Sequence, residues 1–218
     1  MSVKILPAHE NAVLIEWMEP SCTDLTQKIV ELQRKVREKY KNRVLDTIPA
    51  YATLMVVFDE NQLSRAQLTS ELAELASEQG EVDLAERGRL HRIPVDYSLE
   101  SGLDLAKVAQ VKGVSIEQII AWHSAVEYQV MAVGFSPAFA YLGALRPELA
   151  MPRLAEPRLS VPAGSVAIAD RQTAIYPVES PGGWHILGRT ALDLSLANPE
   201  NLTRFKVGDW VRFEVSCV

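Results

Sequence analysis

Apolar residues recur at intervals of three and four through the first third of the chain. Leu25, Ile29, Leu32, Val36 and Tyr40 form one stripe, the mark of an amphipathic helix. Ser21-Cys22-Thr23-Asp24 offers its N-cap. A second stripe, Ala66, Leu68, Leu72, Leu75 and Ala76, follows the capping candidate Ser64. Short β-prone runs surround these helices: Ala12 to Trp17, Val44 to Ile48, Thr53 to Phe58, and the extended segment Arg89 to Tyr97. Pro49-Ala50-Tyr51-Ala52 reads as the turn between the second and third of them.

The resulting order, β-α-β-β-α-β, predicts a ferredoxin-like unit with two helices on one face of an antiparallel sheet. Two short helices follow within 101–125. Leu103, Leu105, Val108 and Ala109 line the first; Ser115 opens the second in capping-box style, three residues before Gln118. Beyond residue 126 the helical period is lost. Apolar runs (Tyr128 to Val133, Ser165 to Ile168, Thr173 to Tyr176, Trp184 to Leu187, Leu192 to Leu196, Trp210 to Val215) alternate with Pro and Gly. Many short strands with turn signals predict a β-barrel or sandwich. The expected fold class is therefore α+β, with domains at 1–97 and 98–218 and the boundary in the polar stretch around residues 97–103.

The 218 residues are 48% hydrophobic and 23% charged, with a net charge of -6. That composition is globular, and the acidic balance disfavours nucleic-acid binding. The basic run from Arg34 to Lys41 has helical spacing with Glu38 interleaved, and reads as a solvated helix face. No window approaches the roughly 20 apolar residues of a membrane span, and the N-terminus lacks a signal-peptide pattern. Cys22 and Cys217 read as two free thiols. A soluble, cytoplasmic protein is expected.

Phosphate loops, H-E-x-x-H, C-x-x-C and the G-x-S-x-G nucleophile elbow are all missing from the sequence. The informative stretch is 123–190, dense in Gly, Pro and aromatic residues, with Phe135, Phe139, Tyr141, Tyr176 and Trp184 expected to line an apolar surface. His123 and Glu127 stand four apart; on a continuing helix they would share a face as an acid/base pair, while a buried, hydrogen-bonded histidine is the plainer reading. Pro162-Ala163-Gly164-Ser165 is either an oxyanion-binding turn or an ordinary one. Arg153 and Arg158 flank Glu156, and either one is a candidate carboxylate or phosphate clamp. Gln172 and Thr173 suit orientation of an amide-bearing ligand. Pro181-Gly182-Gly183-Trp184 presents Trp184 to a partner or buries it beneath a hairpin turn. No metal site is expected.

Taken together these residues resemble the bacterial family variously called the 5-oxoprolinase B subunit, allophanate hydrolase subunit 1 and Kip-type sporulation kinase inhibitor. The resemblance is carried by His123-Ser124, Tyr128, Gly134-Phe135, Pro137, Phe139, Tyr141-Leu142-Gly143, Pro152-Arg153, Pro157-Arg158, Val161 to Val166, Gln172-Thr173, Tyr176-Pro177, Ser180 to Trp184 and Gly188 to Thr190. Ala138 departs from it where the family has Gly, Ala140 where Pro is frequent, and Asp170-Arg171 where a glycine-rich pair is usual. The resemblance implies a ferredoxin-like domain followed by a cyclophilin-like β-barrel. It implies ATP-dependent opening of 5-oxo-L-proline to L-glutamate, together with two other 5-oxoprolinase polypeptides: the C subunit, a paralogous barrel, and the A subunit, of different fold. ATP would be a co-substrate, held by this chain or by a partner. On this reading His123 transfers protons. Phe135, Pro137, Tyr141, Arg158, Gly164, Ser165, Gln172 and Thr173 contact substrate, and Gly182, Gly183 and Trp184 meet a partner. The alternatives are inhibition of a histidine kinase and a carboxyltransferase-type role in urea or allophanate metabolism.

Overall fold

A computed structural model describes residues 3–77 and 87–218. The chain divides into two compact units at Arg87/Gly88. No helix among the described residues is long and apolar enough to cross a membrane.

The first unit contains β1 (Val3–His9), β2 (Ala12–Trp17), α1 (Thr23–Tyr40), β3 (Val44–Ala50), β4 (Thr53–Phe58) and α2 (Arg65–Ser77). Its sheet is antiparallel, in the order β1-β2-β4-β3. The α1 stripe Leu25, Ile29, Leu32, Val36 and Tyr40 is buried, as its spacing predicts, against Val13, Ile15, Leu54 and Val56 of the sheet. On the solvent side Arg34 pairs with Glu31 and Glu38, both at 2.7 Å.

The ferredoxin-like expectation needs correction. It takes residues 89–97 as the last strand, but this segment lies in the second unit. The place beside β2 is held instead by β1, which joins β2 as a hairpin. The sequence signal for β1 is weak for a physical reason. It is an edge strand with only Val3 and Ile5 partly buried, and Pro7 interrupts it, which edges tolerate.

The second unit contains β5 (Leu90–Asp96), α3 (Leu105–Lys112), α4 (Ile116–Ser124), β6 (Glu127–Val133), β7 (Ala140–Gly143), β8 (Arg158–Val161), β9 (Ser165–Ala169), β10 (Gln172–Ile175), β11 (Ser180–Gly182), β12 (His185–Arg189) and β13 (Trp210–Cys217). Seven of these strands close a barrel in the order β10-β7-β6-β13-β5-β12-β9, and β9 pairs with β10. Strand β5 runs parallel to β13, so its alternation of buried His91, Ile93 and Val95 serves this barrel. Strands β8 and β11 form a separate two-stranded ribbon. The 192–196 run, expected as a strand, is irregular.

Alternation along the strands gives the barrel two packed faces. Val166, Ile168, Ile175 and Leu187 join Val130, Leu142, Val211 and Phe213 in one cluster, with α3 and α4 supplying Leu105, Val108, Ile119 and Ile120. The intervening residues Ala167, Ala169, Ala174 and Ile186 belong to another cluster, with Phe139, Val161, Tyr176 and Trp184. Every residue of β9 is buried for this reason. The α4 cap follows the expected pattern: Gln118 N–H donates to Ser115 Oγ at 3.2 Å.

Candidate functional site

The pairing of His123 with Glu127 is not realised. Helix α4 ends at Ser124 and Glu127 opens β6, so His123 and Glu127 do not share a helical face. His123 is completely buried and its imidazole stacks on Phe213, with ring centroids 4.6 Å apart. Both ring nitrogens are bonded. Thr173 Oγ1 donates its only hydrogen to Ala167 O at 3.0 Å, so it accepts from His123 Nε2 at 2.9 Å. Nδ1 then accepts from the Tyr97 hydroxyl at 2.7 Å, and the Tyr128 hydroxyl donates to the His123 carbonyl at 2.9 Å. This arrangement needs a neutral imidazole, and burial pushes the His123 pKa down to about 3. The expectation that His123 transfers protons is corrected: it is the centre of a closed polar network inside the barrel. Thr173, fully buried in that network, is likewise a structural group and not a substrate contact.

The Gly164–Ser165 turn is corrected in the same way. Gly164 N–H donates to Tyr176 O at 2.7 Å and Ser165 N–H to Pro162 O at 3.2 Å, so neither is aimed at an oxyanion. Ser165 is buried at the start of β9. Gly164 sits at φ +81°, and a Cβ there would lie 2.3 Å from Thr190 O. Close backbone approach therefore explains the glycine.

Arg158 is spoken for as well. Its Nη2 donates to Asp104 Oδ1 at 2.6 Å, and Asp104 is itself buried. Asp104 Oδ2 accepts from Ile186 N–H at 2.8 Å, and Asp104 N–H donates to Ile186 O at 2.9 Å. Arg158 thus ties β8 to the start of α3 and to β12. That pair commits Nη2, while Nη1 is buried without a hydrogen-bond partner among the described residues.

What the fold does assemble is an aromatic shelf. Phe139 meets Phe135 at 5.3 Å, Tyr141 at 4.8 Å, Tyr176 at 5.5 Å and Trp184 at 6.1 Å between ring centroids, all close to edge-on. Edge-to-face packing at these distances is favourable. Small residues make room beneath the rings: Ala167, Ala169 and Ala174 have almost no exposure. Trp184 is buried under this shelf and not displayed to a partner, which corrects the expected role of Trp184. Gly182 is needed because a Cβ would meet the Tyr176 hydroxyl at 2.3 Å, and Gly183 faces Pro157. Phe135 is 67% exposed and Pro137 is exposed beside it; Tyr141 and Gln172 are half-buried. Arg153, which the sequence offers as a clamp beside Arg158, reaches over the Trp184 ring at 6.0 Å. Its nearest acid, Asp170, stands 3.8 Å away, and both side chains are well exposed. Arg153 is the shelf's exposed guanidinium, held in a long ion pair with Asp170.

Two departures from the resembled pattern fall at strained positions. Ala138 adopts φ +64° and Asp170 φ +51°, left-handed angles that favour glycine. Phe135 also has positive φ, +74°. The loop carrying the shelf's exposed edge is held in a conformation that local preference opposes.

A barrel closed in this order, with an aromatic shelf on one outer face, defines the class. The chain belongs to the carboxyltransferase domain, subdomain C and D family, which matches residues 3–202. Among curated relatives, the 5-oxoprolinase B subunit of Escherichia coli O157:H7 is 40% identical over 205 residues, covering 94% of this chain and 92% of its own. The crystal structure of TTHA0988 superposes with a TM-score of 0.79 at 33% identity, covering 94% of this chain; the match spans 40% of the TTHA0988 chain. The K. lactis urea amidolyase shares the fold, with a TM-score of 0.73 at 15% identity over 99% of this chain and 15% of its own.

Proposed function

We propose that this chain is the B subunit of a cytoplasmic, ATP-dependent 5-oxoprolinase that opens 5-oxo-L-proline to L-glutamate, with ATP hydrolysed to ADP and phosphate. The observation that carries this reading is identity of 35–40% to three 5-oxoprolinase B subunits, over most of the chain. The geometry supports a contributing role and not a self-sufficient one. The residues expected to do proton and oxyanion chemistry (His123, Gly164, Ser165), and Thr173, expected to orient an amide, are tied into the barrel's own hydrogen bonds, and the exposed features are an aromatic surface and the Arg153 guanidinium.

A lactam is a resonance-stabilised amide with a poor leaving group. Phosphoryl transfer to its oxygen would open the carbonyl carbon to water, and pre-aimed donors would stabilise the oxyanion. In this reading the shelf of Phe135, Tyr141 and Arg153 contributes one wall, packing the ring and holding the carboxylate, while the two partner polypeptides supply the ATP site and the acid/base groups. That TTHA0988 carries a region like this chain within a polypeptide more than twice as long supports joint action with further protein.

The test is reconstitution of the three polypeptides with ATP and 5-oxo-L-proline, each omitted in turn, following glutamate and ADP. Glutamate formation that needs this chain, with KM for 5-oxoproline raised in Arg153→Ala, supports the reading. Undiminished turnover without this chain overturns it. Biotin-dependent carboxyl transfer with a partner would favour the carboxyltransferase alternative suggested by the family. Stoichiometric inhibition of a purified histidine kinase, lost in Phe135→Ala, would favour the regulatory one.

A further inference from the structure

One end of the barrel carries a cleft of about 500 Å³ that the shelf does not use. The ends of β5 and β12, the loop after β12 and the turn before β9 form it, and Asp96, Ser101, Arg189, Leu192, Asp193 and Leu194 are among its lining. The volume is that of a small-molecule site. We propose that this cleft binds a small α-amino acid as its zwitterion, with the carboxylate on Arg189, the ammonium on Asp193 and the side chain against Leu192 and Leu194.

The argument starts from the loop after β12. Thr190 N–H donates to Gly164 O at 2.9 Å, Leu192 N–H to Thr190 Oγ1 at 3.1 Å, and Ser195 N–H to Asp193 Oδ1 at 2.8 Å. The loop is therefore built to one shape before any ligand arrives. Arg189 Nε donates to Ala163 O at 2.9 Å, which steadies the guanidinium and leaves both terminal nitrogens to face a carboxylate as a fork. Among the described residues Arg189 has no carboxylate partner. Asp193 accepts from the N–H and the side chain of Ser195, while Asp96 accepts from Ser98 N–H at 2.8 Å, from Ser101 Oγ at 2.6 Å and from the Ser98 side chain, so Asp193 keeps more of a carboxylate's roughly four acceptor positions. These bonds, from Ser101 to Asp96 and from the Ser195 backbone to Asp193, hold both carboxyls below their usual range and so ionised at neutral pH.

Charge then selects the ligand class. The lining holds one guanidinium and two carboxylates, and Arg204 acts on Asp193 from beyond it, so charges of both signs are set close together. A simple anion leaves the carboxylates unanswered, and a simple cation leaves the Arg189 guanidinium unanswered. A compact zwitterion satisfies both signs. The lactam 5-oxoproline has no ammonium, so the cleft discriminates against it. The proposal is thus independent of the 5-oxoprolinase reading.

The test uses the full chain alone and reads binding, so its outcome is separate from that of the reconstituted enzyme. L-leucine and L-proline are titrated by calorimetry and by amide NMR, with 5-oxo-L-proline, N-acetyl-L-leucine, isobutylamine and inorganic phosphate as comparison ligands. Saturable binding of an amino acid is expected, with Kd at or below about 1 mM and shifts in the amides of residues 190–195. Arg189→Gln and Asp193→Asn are each expected to weaken it about tenfold or more, at unchanged melting temperature. Absence of saturable amino-acid binding overturns the proposal. So does equal binding of N-acetyl-L-leucine or isobutylamine, tighter binding of phosphate, or affinity unaltered in both variants.

Discussion

Protonation of His123 is the perturbation whose size follows most directly from the structure. In the folded barrel this imidazole donates to Thr173, accepts from Tyr97 and stacks on Phe213 with no access to water. Its pKa falls to about 3, against 6.5 when free. Between those values the unfolded chain binds a proton that the native state refuses, so native stability falls as pH falls. The loss starts near pH 6.5 and continues to about pH 3. Lowering the pH from 7 to 5 covers about 1.5 units below the free value, which corresponds to about 2 kcal/mol from this residue. Urea denaturation followed by tryptophan fluorescence at pH 7, 6 and 5 measures the slope. The same series on His123→Gln removes the contribution of every other titrating group by subtraction. Should that variant fail to fold, the native protein still decides the matter: ring 15N shifts must report a neutral, Nε2-protonated imidazole that does not titrate above pH 5. Titration in the native state near 6.5, or equal pH slopes in the two proteins, would refute the closed network.

Thr173→Val keeps the shape of the side chain but leaves the Nε2–H of His123 without an acceptor; a loss of about 1–3 kcal/mol is expected in urea denaturation. Asp104→Ala strands the Arg158 guanidinium and the Ile186 N–H together, and about 3–5 kcal/mol should be lost, with a matching fall in melting temperature. Ala138→Gly relieves a left-handed residue in the shelf loop. It should raise stability by about 0.5–1 kcal/mol, read as a higher urea midpoint at constant m-value.

Legibility from sequence depended on how strongly each residue was committed by its neighbours. The α1 stripe and strands β2 and β4 were readable because one buried face dictates the period. Strands β7, β8 and β11 have three or four residues each, too few to show a period. The assignment of β5 failed for a different reason. Its alternation was correct, but period alone does not name the partner strand, and pairing with β13 requires contacts more than a hundred residues away. At the site, the five aromatics expected to gather did so, because large apolar rings have few stable places outside a common cluster. The polar assignments went the other way. A histidine, a threonine or a turn glycine carries the same letter whether it faces a substrate or completes a buried hydrogen bond, and only the partners distinguish the two. The departures at Ala138 and Asp170 were visible in the sequence, and their backbone angles now show why glycine suits both positions.

The two faces of β9 and β10 set the division of labour within the barrel. Residues pointing inward must satisfy every polar atom among themselves, because an unpaired buried donor is costly; His123, Thr173 and Tyr97 do so without water. Residues pointing outward meet a different constraint. Ala167, Ala169 and Ala174 are too small to cover the sheet alone, so Phe139, Tyr176 and Trp184 must lie across them. With that space filled by those rings, Phe135 projects outward from a backbone angle that ordinary side chains avoid. An exposed phenylalanine held at positive φ is opposed by hydration and by local sterics alike. On the proposed reading, a partner polypeptide would cover that ring beside Arg153.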